Sequence, residues 1–459
     1  MVLLPPTRPL ERLQVTDGLL LTADRWRVAH RYHRQRQDLH FQALYQPGIV
    51  HGLEVWPTVA PPQVSHQYQD GRWIQVQPGL AIDRQGNPIV VSRPVEYHIA
   101  AQPGPQPLQV YLVLSFVDPD QLEGQAGTHV VQETFRLEEK VSPPDSSEIE
   151  LCRILLGPGN EALRSPRNSF APVAQDLDLR QRPRVQRRPQ GQLRLGYLAP
   201  VSGPVSGPAI ATALQGIVDA LPGLYPALQG HATIDPLPLD RPMAPATDPA
   251  AYDLLYVAYG DSQRLPQTSL APLQTHLAQG GVLLLEVPAT GTPLDDLLQI
   301  WSDVVKVLAA STPTVANQAK YAQLHTERAE LERCMALELT QMIPSLASLV
   351  DVDTTTGATW AQLGTLSAQH PLQVHPFRFG MLPLIYDRPL ALFNWGGVVV
   401  VVGDLISAWG GEQAYFLPRE TIRSAQELGI NLLHFAWQRR LWATDQRLPL
   451  APPPILESI

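Results

Sequence analysis

The chain has 459 residues, 44% hydrophobic and 17% charged, with a formal net charge of −9. That length is a prior for two to four domains. The composition excludes a disordered polyelectrolyte, and the acidic balance argues against a nucleic-acid binder with a concentrated basic face. Proline is the anomaly, with 46 residues, about twice ordinary usage. Each one fixes φ and removes a donor, so many loops and strand edges are expected. The two cysteines, Cys152 and Cys334, lie far apart, which favours a reducing compartment over a disulfide framework. Met1 to Leu13 lacks a signal-peptide apolar core. The longest strongly apolar run, Gly396 to Ile406, is well short of the roughly 20 residues that cross a bilayer. A soluble, cytoplasmic protein is therefore expected.

In chain order, Thr22 to Tyr45 reads as a helix, with Thr22 as N-cap and Pro47 beyond its end. Its apolar residues (Trp26, Val28, Ala29, Tyr32, Leu39, Ala43) are mixed with arginine, histidine and glutamine. After Gly48 the pattern changes to short strands at Ile49–Val55, Trp73–Val76, Leu80–Asp83 and Ile89–Val91, the last two joined by the turn Asp83–Asn87. Tyr111–Val117 and Glu148–Leu156 read as further strands. Residues 1–175 are thus a helix plus a β module. Residues 176–192, with Arg180, Arg182, Arg184, Arg187, Arg188, Pro183 and Pro189, read as a solvated tether. The same charges would also suit an acidic partner, lipid head groups or nucleic acid.

From 193 to 447 strands alternate with helices. Strand patterns at Leu193–Leu198, Tyr252–Val257 and Val282–Val287 are separated by helical ones at Ile210–Leu221 and Leu270–Ala278, the latter closed by Gly280-Gly281. A long helix at Ala316–Leu339, strands at Leu390–Asn394 and Val398–Gly403 and a final helix at Arg419–Arg440 follow. Such alternation implies a parallel sheet covered on both faces. Residues 448–459 read as an extended proline-rich tail.

Two stretches resemble known families. Gly18–Asp24, the basic helix, Gly48-Ile49-Val50-His51-Gly52-Leu53-Glu54-Val55, Val76–Asp83, Gly86–Val91, Phe135–Glu139 and Leu151–Leu156 occur in an order that resembles baseplate and accessory proteins of phage-tail-like extracellular contractile injection systems. The resemblance covers about the first 155 residues and implies a scaffold or attachment role, with no catalytic residues. Tyr252–Val257, Gly280–Glu286, His370-Pro371, Val399–Ile406, Trp409 and Leu428–Leu433 resemble the bacterial domain of unknown function 4159 family. That resemblance implies an α/β, flavodoxin- or class I glutamine-amidotransferase-like parallel-sheet fold, and no activity.

The residues offer little chemistry. An amidotransferase needs a cysteine on a strand-to-helix elbow, but Val282–Val287 leads into Pro288-Ala289-Thr290-Gly291. No Gly-x-Ser-x-Gly elbow exists; Ser262 after Gly260-Asp261 comes nearest. Asp261, Ser262, His370 and Asp404 would form a low-priority pocket, or a Ser262–His370–Asp404 triad, if all reached the carboxyl edge of the sheet, where His375 is also expected. Capping and turn chemistry explain the same residues. His30, His33 and His40 share the first helix without an acidic third ligand, so no metal is expected. No phosphate-binding glycine motif is present, and no cofactor is expected.

The reading is a non-enzymatic adaptor that partners other baseplate, sheath and tube proteins in a multi-copy particle, contacting a membrane only indirectly and no nucleic acid. Trp26, Arg27, His30, Arg31, Tyr32, His33 and Arg34 are the expected interface, because aromatic residues and arginine dominate interface energetics. A degenerate hydrolase or a ligand-binding module at the carboxyl edge of the second sheet is the alternative.

Overall fold

The computed structural model describes residues 9–119, 130–158, 161–199, 207–238, 248–311, 317–349, 369–410 and 412–445; the tail expected over 448–459 lies outside them. The chain forms two compact units, Val2–Arg188 and Pro189–Ile459.

The first unit is a helix followed by antiparallel strands. Helix α1 spans Ala23–Leu44, and the Thr22 hydroxyl accepts from the Arg25 N–H at 3.3 Å, the N-cap bond its sequence predicts. The strands are β1 (Gly48–Gly52), β2 (Val55–Thr58), β3 (Trp73–Val76), β4 (Gly79–Ile82), β5 (Pro88–Val91), β6 (Val95–His98), β7 (Leu108–Phe116), β8 (Phe135–Lys140), β9 (Glu148–Leu156) and β10 (Leu177–Asp178). They build sheets in the orders β1-β4-β5, β2-β3-β6 and β10-β9-β7-β8 around a shared core that includes Leu53, Ile74, Leu112, Leu151 and Ile154. The single strand expected over Ile49–Val55 is broken in two. Gly52 and Leu53 both adopt positive φ, at 67° and 59°, and the backbone of Pro78 packs so closely on Gly52 that a Cβ would overlap it.

The tether expected over 176–192 is corrected by the structure. Leu177 and Asp178 pair with Ile154 and Arg153 of β9. The Ile49 N–H donates to the Pro183 carbonyl at 2.8 Å, and the Val185 N–H donates back to the Ile49 carbonyl at 3.0 Å. The Arg182 guanidinium donates to the Gly52 and Leu53 carbonyls at 3.1 and 2.8 Å, and burial lowers its pKa. The arginines that resemble a solvated charge run are spent in part on backbone carbonyls, which have no other means of satisfaction once buried.

The second unit holds a two-stranded parallel pair, β11 (Gly191–Leu193) with β13 (Leu228–Gly230). Its main sheet has six strands: β12 (Leu195–Ala199), β14 (Asp235–Pro238), β15 (Leu254–Ala258), β16 (Val282–Val287), β17 (Ala391–Trp395) and β18 (Val398–Val402). The order is β14-β12-β15-β16-β18-β17, parallel throughout except for the β17–β18 hairpin. Along β18, Val399 and Val401 face one core while Val398, Val400 and Val402 face the other, the period-2 alternation of a strand buried on both sides. The first core is completed by α2 (Gly207–Leu224) and by the long C-terminal helix. The second is completed by helices α4 (Gln267–Ala278), α5 (Leu294–Ala310) and α6 (Gln318–Met342). Three short helices complete the set: α3 (Tyr259–Ser262), α7 (Pro344–Leu349) and α8 (Pro371–Val374) precede the C-terminal α9 (Arg419–Asp445).

His276 near the end of α4 is fully buried between two carbonyls, with Nδ1 2.8 Å from Pro249 O and Nε2 3.2 Å from Val282 O. Burial, aided by Arg440 and Arg439, pushes its pKa down to about 4. The ring is neutral and has one N–H, which the shorter contact takes. Gly281 lies against this ring, and any Cβ there would overlap it. Gly281→Ala should therefore destabilise the protein by about 3 kcal/mol, from overpacking plus a lost buried hydrogen bond. Chemical denaturation of the variant reads this directly, and an unchanged midpoint would refute the close packing.

Candidate functional site

The parallel strands β12, β15, β16 and β18 all run the same way, so their carboxyl ends share one edge, the usual place for ligands in such sheets. At that edge the one charge within β16 is Glu286, in the run Val282-Leu283-Leu284-Leu285-Glu286-Val287. Its side chain is buried beside Tyr256 of β15. The Tyr256 hydroxyl donates to Glu286 Oε2 at 2.7 Å, and the Ile406 N–H donates to Oε1 at 2.9 Å. Burial pushes the Glu286 pKa up to about 7; the hydrogen bonds from Ile406, Tyr256 and Leu405 oppose this, and the nearby Asp404 charge adds to it. Tyr256 is held well above the usual phenol range, by burial first and then by the Glu286 charge.

The residues proposed for a pocket do not assemble. Asp261, half-buried in α3, and Asp404, just beyond β18, both lie close enough for their charges to act on Tyr256. Ser262 is buried, and its hydroxyl donates to the Tyr259 carbonyl at 2.7 Å. The Ser407 hydroxyl donates to the Asp404 carbonyl at 3.0 Å, while burial raises the Asp404 carboxyl against hydrogen bonds from Ser407. His370 caps α8, its Nδ1 accepting from the Leu372 N–H at 3.3 Å, and it hydrogen-bonds Asn394. Asn394 pairs with Val399 near the start of β18. Asp404 follows the end of that strand, about 16 Å away along an extended backbone. The placement of His370 at the carboxyl edge is therefore corrected: it stands at the amino edge, because the antiparallel β17 reverses direction there. His375 is exposed, with its ring 6.4 Å from that of His434.

Nucleophilic cysteine chemistry finds no better footing. Cys152 is fully buried and its thiol is pushed up to about 12 by burial, and Cys334 lies within α6. Among the described residues no group of three or more His, Cys, Asp or Glu could hold a metal ion, and no helix is long and apolar enough to cross a membrane.

The expected interface residues all sit on α1, which has no buried residue. Trp26, Arg27, His30, Arg31 and His33 are exposed, whereas Tyr32 and Arg34 are half-buried. The Trp26 and His30 rings meet edge-on at 5.2 Å. The helix leans on its own unit through the other side. Arg34 pairs with Asp118 at 3.1 Å, and the Gln42 side-chain amide donates to the Gln85 carbonyl. Asp38, near Asp83, has its pKa pushed up to about 6 by burial, with Arg34 opposing and Asp83 adding.

No protein-family model matches the sequence, and no curated protein matches it.

Glu286 and His276 give the second unit opposite pH responses. Glu286 holds a proton in the folded state that the unfolded chain releases, so its contribution is present below pH 4.5 and is lost as pH rises through about 7. His276 stays neutral when folded, so its contribution is present above pH 6.5 and is lost as pH falls through about 4. Glu286→Gln should remove the first slope and leave the second. Relative to the native chain it should gain about 3 kcal/mol between pH 4.5 and pH 8, whereas Glu286→Ala should lose stability throughout by orphaning Tyr256 and Ile406. Denaturation series at several pH values check this, and parallel curves for native and Gln chains would refute the buried, proton-holding carboxyl.

Proposed function

We propose that the chain is a non-enzymatic structural adaptor in the baseplate of a phage-tail-like contractile injection system. In this reading the helix-plus-β unit docks on the assembly, and the α/β unit presents a surface to another component. The observation that carries it is α1: a 22-residue helix without one buried residue, presenting tryptophan, histidine and arginine to solvent. A helix that buries nothing of its own gains little stability from packing, and these residue types favour a contact surface. The resemblance of the first 155 residues supports the choice of assembly.

The second unit is read as flavodoxin- or amidotransferase-like. Numbered within the main sheet, its first four strands take the order 2-1-3-4, which opens the flavodoxin-like arrangement. At the carboxyl edge the groups that hydrolytic chemistry would need serve the fold instead. Ser262 turns back onto its own helix, Glu286 is committed to Tyr256 and Ile406, and His370 is on the other edge. The adaptor works in several copies within a large cytoplasmic particle, touching membranes only through other components.

A gentle pull-down of the tagged native chain, with mass spectrometry and negative-stain microscopy of the eluate, tests the proposal. Sheath, tube and baseplate proteins should co-elute with tail-like particles. A clean monomer or homo-oligomer without such companions would overturn it.

A further inference from the structure

The exposed side of α1 has a regular pattern. Trp26, His30, His33, Gln37, His40 and Leu44 are all exposed, and they recur at alternating steps of four and three residues. This is the 3.5-residue repeat of a coiled-coil seam, with Trp26, His33 and His40 at d positions and His30, Gln37 and Leu44 at a positions. The stripe lies away from the Arg34–Asp118 pair and the Gln42–Gln85 bond that fix the helix to its own unit. Trp26 and Leu44 remain 55% and 48% exposed, so the seam ends in apolar side chains with no cover from this chain.

The flanks decide what could cover it. The e positions are Arg27, Arg34 and Phe41, and the g positions are Ala29, Arg36 and Ala43; none is acidic. The helix as a whole carries five arginines against two aspartates, within a chain whose net charge is −9. A second copy fits poorly. An antiparallel pairing that sets Trp26 against Leu44 also sets Arg34 against Arg34 and Arg36 against Arg36. A parallel pairing stacks each histidine on itself and adds the positive charge of two like helices. A strand with acidic e and g positions meets the same flanks with opposite charge, which is how such seams select partners.

We infer that the exposed seam of α1 pairs with an amphipathic α-helix of another protein, apolar at its a and d positions and acidic at e and g. The inference deepens the adaptor reading and rests on it for the role of α1.

The test uses the full chain and two synthetic four-heptad peptides with leucine at a and d, one carrying glutamate and the other lysine at e and g. Fluorescence anisotropy at low salt should show the glutamate peptide binding at least ~30-fold tighter than its lysine twin, with the difference shrinking as salt is added. Trp26→Ala should weaken that binding by ~10-fold or more, as loss of an interface aromatic does. Because Trp26 is exposed, the variant keeps its fold. The double variant Arg27→Glu, Arg36→Glu should reverse the preference towards the lysine peptide. Equal binding of both peptides, binding of neither, or tighter binding of a DNA duplex than of the glutamate peptide would overturn the inference. So would a dimer in sedimentation that Trp26→Ala dissolves. If the peptides fail while the pull-down still returns baseplate components, the seam is wrong and the adaptor reading survives; an empty pull-down removes the adaptor reading itself.

Discussion

A single buried carboxylate organises one end of the second unit. Glu286 ends a run of aliphatic residues, where an unpaired charge would cost far more than one hydrogen bond returns. Its two oxygens are therefore spoken for, one by Tyr256 on the neighbouring strand and one by the Ile406 N–H beyond β18. The second bond holds the turn Ile406–Ala408, and Trp409 follows directly. The Trp409 indole N–H donates to the Ala425 carbonyl of α9 at 2.9 Å, and Gly216 of α2 and Gly429 of α9 both lie against Trp409 with no room for a Cβ. Strand, turn and two helices thus depend on one carboxyl group, whose chemistry is that of a fastener.

That dependence explains why the carboxyl edge gathers polar residues without a catalytic arrangement. Tyr256, Glu286, Asp404 and Ser407 resemble the contents of an active site when read as residue types. Their partners are backbone groups of the turn they hold, or one another. The perturbed Glu286 pKa follows from burial, and structural networks shift pKa values as readily as functional ones.

Much of the architecture is legible in the residues, and the exceptions have identifiable causes. The alternation from Leu195 to Val287 shows because its strands are buried on both faces and its helices have one apolar side. Strand β14 is hidden by Pro236 and Pro238, which an edge strand tolerates and a central one would not. Helix α5 carries buried Leu294, Leu298, Val304 and Leu308 at helical spacing, a signal present in the sequence and overlooked between two acidic residues and a proline. The edge to which His370 belongs cannot be read from its position in the chain, since it depends on β17 running antiparallel. Glu286 could have been found as the one charge in an otherwise aliphatic strand. The arginines of 180–188 mislead because composition does not distinguish a solvated guanidinium from one that satisfies buried carbonyls.

Helix α1 has a mechanical consequence. Its 22 residues make a rod of about 33 Å. The ion pair and side-chain bond that hold it to the β strands come from Arg34 and Gln42, in its second half. Trp26 stands more than two turns beyond that grip. A load applied at the tip is delivered with leverage to Asp118 and to the Asp83–Asn87 hairpin, so that a small rotation at the hairpin becomes a larger sweep at the tryptophan.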